Sequence, residues 1–172
     1  ATRLGLYVVR TPLANMDSVA EHTLGAILAL AKNMLPLEKA ARRADFDAPL
    51  SFESHDIGGK TLGIIGLGNI GRTLAKKAHG GFDMEILGYD PFVKKEDLPD
   101  FITCVEDVDD IFRRADYVSL HLNASPENDN FVDKRRLELM KPGACLLNFS
   151  RGSNVNEADL YEALKNHVIA GA

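Results

Sequence analysis

Two rhythms of apolar residues alternate along this chain. Short continuous apolar runs, the mark of strands buried on both faces, fall at Leu4–Val9, Leu62–Ile65, Met84–Tyr89, Thr103–Val105, Tyr117–Leu120 and Ala144–Asn148, with one more beginning at Val168-Ile169. Between them lie segments of helical spacing. Ser18-Val-Ala-Glu21 reads as a capping box, which predicts a helix from Ser18 to about Leu35, before Pro36. Apolar residues lie on nearly every side of it, so it is expected to be buried on more than one face. Further helices are predicted over Arg72–Ala78, Glu106–Arg114, Asp133–Met140 and Glu157–Asn166, the last capped by Asn156 with Val155 and Leu160 at the staple positions. Glu38–Ser54 is charged and irregular, a short helix followed by an exposed arm containing Pro49. Strands that alternate with helices imply parallel pairing through right-handed crossovers. The predicted fold is therefore α/β, a Rossmann-type doubly wound parallel sheet with helices on both faces.

The pattern is most informative from Lys60 to Asp90. The run Lys60-Thr-Leu-Gly-Ile-Ile-Gly66 is followed by Gly66-Leu-Gly-Asn-Ile-Gly71, a helix, a second apolar run and Asp90. Gly66 permits the tight turn from strand to helix. Gly68 lets a pyrophosphate approach the backbone. Gly71 lets the helix pack closely on the strand. The free N–H groups at Asn69 and Ile70, at the positive end of the helix, face the phosphates. Asp90 follows Gly71 by 19 residues, where an acid accepts hydrogen bonds from both ribose hydroxyls of NAD and repels a 2′-phosphate.

Composition narrows the class. The chain has 172 residues, enough for one domain with a real core, and a net charge of −5 with both signs interspersed, which points away from a nucleic-acid surface. Its longest apolar stretch, Leu24–Leu35, is broken by Lys32 and is too short to span a bilayer. Cys104 and Cys145 lie in strand-like runs and read as reduced, packed thiols of a cytoplasmic protein. No metal-ligand spacing appears. The chain starts at Ala1 without a methionine and stops inside a predicted strand, so it is expected to be a piece of a longer protein.

Ligands of doubly wound sheets lie beyond the carboxyl ends of the strands. There stand Gly68, Asp90, His121, Ser150 and Arg151. The planar fork of Arg151 suits a substrate carboxylate; the plainer reading is a solvated loop arginine. His121 reads as a proton donor or, more simply, as a group that orients its loop.

The runs Ser18-Val-Ala-Glu-His22, Gly59–Gly71, Gly88-Tyr-Asp-Pro91, Leu120-His121 with Pro126-Glu127, and Met140-Lys-Pro-Gly143 through Asn148-Phe-Ser-Arg-Gly152 resemble the D-isomer-specific 2-hydroxyacid dehydrogenases, of which 3-phosphoglycerate dehydrogenase is the best-known member. The resemblance covers nearly the whole chain in order. It implies an NAD-binding domain at residues 16–172, incomplete at its C-terminus, preceded by a connecting strand from a substrate domain at residues 1–15. It also implies that Asn69 and Ile70 contact the pyrophosphate, Asp90 the adenosine ribose, and Leu122, Phe149 and Ser150 the nicotinamide half. Arg151 becomes the catalytic, substrate-binding arginine, the partner a small 2-hydroxy or 2-keto acid, and the helix from Ser18 to Leu35 a homodimer interface. The family's acid/base histidine, its partner glutamate and a further strand-end acid fall beyond Ala172. Asn123, Phe149 and Asn156 depart from the family pattern, and Phe149 is expected to narrow the nicotinamide site. The alternative reading is an NAD-sensing, corepressor-like binding module of the same fold.

Overall fold

A computed structural model of the chain describes residues 2–9, 11, 13–47 and 52–172. Pro49 and its neighbours in the expected arm lie outside the described residues. Five strands, β1 (Thr61–Ile65), β2 (Glu85–Tyr89), β3 (Ile102–Cys104), β4 (Tyr117–Leu120) and β5 (Cys145–Asn148), form one sheet in the order β3-β2-β1-β4-β5. Every pairing is parallel, with Ile65 opposite both Tyr89 and Leu120. The order reverses at β1, between β2 and β4, which is the switch point of a doubly wound sheet.

Helices cover both faces. On one face α1 (Met16–Ala31) and α3 (Asn69–Phe82) pack over Leu62, Ile64, Ile86 and Leu147. On the other, α4 (Asp109–Arg114), α5 (Lys134–Leu139) and α6 (Glu157–Lys165) pack over Ile65, Leu87, Val118, Leu120 and Leu146. Consecutive residues of each strand therefore feed two separate cores, which is why the strands read as unbroken apolar runs. The predicted α/β architecture is the one found.

Four expectations need correction. Leu4–Val9 is not a strand: a 3-10 turn at Thr2–Leu4 leads into chain that pairs with no strand among the described residues, with Tyr7 99% and Val9 88% exposed. The long helix starts at Met16, not Ser18. Asn15 stands at its N-cap, and no side chain bonds the free N–H groups, so the capping box does not form. Glu21 instead reaches across to Lys77 of α3 at 2.8 Å. The helix ends at Ala31, not Leu35, because Asn33 takes a left-handed conformation (φ 51°, ψ 38°) and turns the chain into α2 (Met34–Arg42). Pro36 is the third residue of α2, where its missing N–H costs no helical bond. The strand expected from Val168 engages only at its end: the Ala170 N–H donates to the Ala144 carbonyl at 2.9 Å, and Gly171 bridges Cys145 in parallel and accepts the Leu146 N–H at 3.0 Å. By contrast, Asn156 caps α6 as predicted, accepting the Asp159 N–H. Among the described residues no helix is long and apolar enough to cross a membrane.

Candidate functional site

The site is built at the carboxyl ends of β1, β2, β4 and β5. Gly66 leaves β1 with φ +99°, a conformation open to glycine. A Cβ there would lie 2.7 Å from the carbonyl oxygen of His121. A Cβ at Gly71 would lie 2.1 Å from the Gly66 carbonyl oxygen, so the start of α3 closes against its own turn. Nothing lies within 4 Å of the Cβ position of Gly68, which faces open space. Arg72 donates to the Gly68 carbonyl at 3.0 Å, and no side chain caps the helix, so the N–H groups of Asn69, Ile70 and Gly71 point out of its end. That end presents bare donors and a positive dipole to an anion.

Asp90 stands beside this turn. Its Oδ2 accepts the Leu67 N–H at 2.8 Å and its Oδ1 the Phe92 N–H at 2.9 Å. Each carboxylate oxygen keeps a further lone pair for a ribose hydroxyl. The ends of β2 and β5 are three strand spacings apart, roughly 14 Å, so Asp90 and Arg151 flank a long crevice rather than a compact pocket.

His121 closes β4. Its N–H donates to Ile65 at 2.8 Å, and its ring turns back to lie 2.9 Å through Nε2 from the Ser119 hydroxyl. Burial pushes its pKa down to about 4 from 6.5. The ring is therefore neutral near pH 7 and has no proton to release as an imidazolium. Leu122 is half-buried at the start of a loop that Asn128 holds closed, its Nδ2 donating to the carbonyl and Oδ1 of Asn123, each at 3.0 Å. Asn123, a departure from the family pattern, is thus a structural tie of that loop.

After β5, Asn148 organises the turn that presents Phe149, Ser150 and Arg151. Its Oδ1 accepts the Ser150 hydroxyl at 2.6 Å and the Ser150 N–H at 3.1 Å, while its Nδ2 donates to the Arg151 carbonyl at 2.8 Å. The wholly buried Asn154 donates to the Ser150 hydroxyl at 2.9 Å. Phe149 is half-buried, its ring tilted 60° against His22 of α1 at 5.3 Å. Arg151 is exposed and donates one Nη1 bond to the Ser150 carbonyl at 2.9 Å, which leaves most of its fork available. The motif reading named Ser150 and Arg151 but not the residues that hold them, Asn154 above all. The only trace of the turn in the sequence is an asparagine two residues before a serine, an Asx-turn pattern. Cys104 and Cys145 are free, and burial raises both thiols above their usual range, which makes them poor nucleophiles.

The arrangement fits a dinucleotide: donors for a pyrophosphate at the centre, an acid for a ribose on one side, and a polar turn with a free guanidinium on the other. Known proteins agree. The family model described as "D-isomer specific 2-hydroxyacid dehydrogenase, NAD binding domain" matches residues 24–172. D-3-phosphoglycerate dehydrogenase of Methanocaldococcus jannaschii is 38% identical over 173 residues, covering 100% of this chain and 33% of that protein. D-lactate dehydrogenase of Lactobacillus jensenii, solved with NAD+, superposes with a TM-score of 0.87 at 30% identity, over 99% of this chain and 51% of that one. An acyclic imino acid reductase solved with NADPH and D-Arg gives a TM-score of 0.84 at 31% identity, over 92% of this chain and 50% of that one. The chain thus spans about a third to a half of the length of these relatives. It belongs to the D-isomer specific 2-hydroxyacid dehydrogenase family, whose NAD-binding domain it forms.

Proposed function

We propose that the protein carrying this domain is an NAD-dependent oxidoreductase acting on a D-2-hydroxy acid or the matching 2-keto acid. NAD, when bound, accepts or supplies the hydride at its nicotinamide ring. The chain's own residues hold and orient. Gly66, Gly68, Asn69, Ile70 and Gly71 bind the pyrophosphate, and Asp90 binds the adenosine ribose. Leu122, Phe149 and Ser150 line the nicotinamide half. Arg151 anchors the substrate carboxylate and stabilises charge on the C2 oxygen. 3-Phosphoglycerate is one candidate substrate, supported by the name of the Methanocaldococcus relative. The named relatives are enzymes, which favours this reading over an NAD-sensing binding module.

The coarser organisation belongs to the same proposal. Residues 1–15 connect to a substrate domain, consistent with the uncovered apolar side chains of Leu6, Tyr7, Val8 and Val9. Residues 16–172 are the coenzyme domain of a cytoplasmic homodimer joined through the region from Ser18 to Leu35. In that region Ala26, Ala29, Leu30 and Leu35 line an apolar groove of about 390 Å³.

The observation that carries the proposal is the glycine turn at the switch point with Asp90 beside it. A carboxylate there is repulsive to a 2′-phosphate. Titration with NADH and NADPH, followed by nicotinamide fluorescence in a chain without tryptophan, is expected to give at least tenfold tighter binding of NADH, about 1.4 kcal/mol. Equal or tighter binding of NADPH contradicts the role given to Asp90.

A further inference from the structure

Asp90 makes two bonds that a purely ribose-binding acid does not need. One holds its own loop: the Phe92 N–H donates to Oδ1 at 2.9 Å. The other crosses to a different element. The Leu67 N–H, at the centre of the glycine turn, donates to Oδ2 at 2.8 Å. Leu67 is 1% exposed, so in the intact turn the carboxylate, and not water, is the partner of this N–H. The side chain of Leu67 presses on β2 as well, lying 2.8 Å from where a Cβ of Gly88 would be. On its other flank the turn is bounded by the His121 carbonyl, 2.7 Å from a Cβ placed on Gly66. The Gly66 N–H completes the attachment by donating to Tyr89 at 2.9 Å. The turn is thus clamped between β2 and β4, and Asp90 is the side chain that hydrogen-bonds the turn's backbone.

We propose that Asp90 is a positioning residue for the pyrophosphate turn, in addition to being the ribose acid; this rests on the coenzyme-binding role proposed for the glycine turn. By holding the Leu67 N–H it fixes the path of the backbone from Gly66 to Gly68, and so the aim of the bare N–H groups of Asn69 and Ile70. Affinity for the phosphates then depends on Asp90 even when no ribose hydroxyl is present.

Electrostatics separates the two roles, because they predict opposite signs. A carboxylate near a pyrophosphate repels it. If Asp90 served the ribose alone, its removal would leave binding of a ligand without ribose hydroxyls unchanged or make it tighter. If Asp90 positions the turn, its removal weakens that ligand despite the lost repulsion.

The experiment compares ADP with 2′,3′-dideoxy-ADP, which keeps the pyrophosphate and lacks both hydroxyls, on the full-length protein by titration calorimetry. For Asp90→Ala the expected result is about tenfold weaker binding of dideoxy-ADP, as for a lost hydrogen bond to a charged group, and a larger loss for ADP. Asp90→Asn retains a carboxamide oxygen for the Leu67 N–H and is expected to recover most of the dideoxy-ADP affinity. Should Asp90→Ala fail to fold, Asp90→Ser, whose hydroxyl is too short to reach Leu67, takes its place with the same expected loss. Amide hydrogen exchange gives a ligand-free readout: the Leu67 amide is protected in the wild type and Asp90→Asn and exchanges faster in the shortened variant. Unchanged or tighter dideoxy-ADP binding in the shortened variant, with ADP weakened, overturns the positioning role and leaves the coenzyme reading standing. Failure of the wild type to bind ADP overturns both.

Discussion

Arg151 is the residue on which catalysis is proposed to turn, and its geometry suits carboxylate binding. It is an exposed guanidinium on a turn tied down by Asn148 and Asn154, with a single bond of its own to the Ser150 carbonyl. An ammonium does not reproduce a bidentate carboxylate contact. Arg151→Lys in the full-length enzyme is therefore expected to lower kcat/KM for a 2-keto acid by about 100-fold, near the 3 kcal/mol assigned to a charged hydrogen-bonded pair, with NADH affinity little changed. Near-normal kcat/KM in Arg151→Ala would return this side chain to a solvated loop arginine. His121 makes a second prediction at this scale. Above pH 6.5 its ring is neutral in the folded and unfolded chain alike and adds no pH dependence. As the pH falls from 6.5 towards 4, the unfolded chain takes up a proton that the buried ring refuses, so stability drops, by up to about 3 kcal/mol at 1.36 kcal/mol per unit. Asp109, held low by Arg135, loses its contribution only below the ordinary carboxylate range, so the two windows separate. Urea unfolding across this range should show the slope in the wild type and a flatter profile in His121→Gln; identical profiles would place the ring outside the buried environment described.

At the scale of elements, the β1–turn–α3 unit tolerates little change. The Gly71 backbone meets the Gly66 carbonyl so closely that any side chain must push α3 off the sheet. Gly71→Ala is expected to lower the melting temperature by several degrees and weaken NADH binding at least tenfold; an unchanged melting curve and titration would contradict the packing. This unit was legible in the sequence because its demands are local: a positive φ, a close approach and a bare helix end each select glycine at a fixed offset. The limits of α1 were not. Ser18 and Glu21 have capping-box spacing, but Asn15 starts the helix earlier and Glu21 is drawn to Lys77 of another helix. Leu4–Val9 has the composition of a strand, yet no strand lies beside it among the described residues. The supports of the site were hidden for a different reason: Ser119 and Asn154 lie only two and four residues from the partners they bond, His121 and Ser150, but the side-chain directions that make those contacts depend on the turn geometry and not on a recognisable motif.

Across the whole molecule, strand order places the parts of the candidate site. Placing β1 between β2 and β4 brings the glycine turn to the middle of the crevice, Asp90 to one side and the Phe149–Arg151 turn to the other. This placement fits the proposed coenzyme path along the crevice, with the exposed Arg151 guanidinium at the end proposed for substrate. Burial keeps the His121 ring neutral near pH 7, so it carries no imidazolium proton to deliver there. The proposed dehydrogenase activity is tested by NADH oxidation in the full-length protein with a panel of 2-keto acids, with chiral analysis of the product. Oxidation of NADH with at least one of them and a product of D configuration is the expected result. NADH binding without turnover on any 2-keto acid, or a product of L configuration, would contradict it.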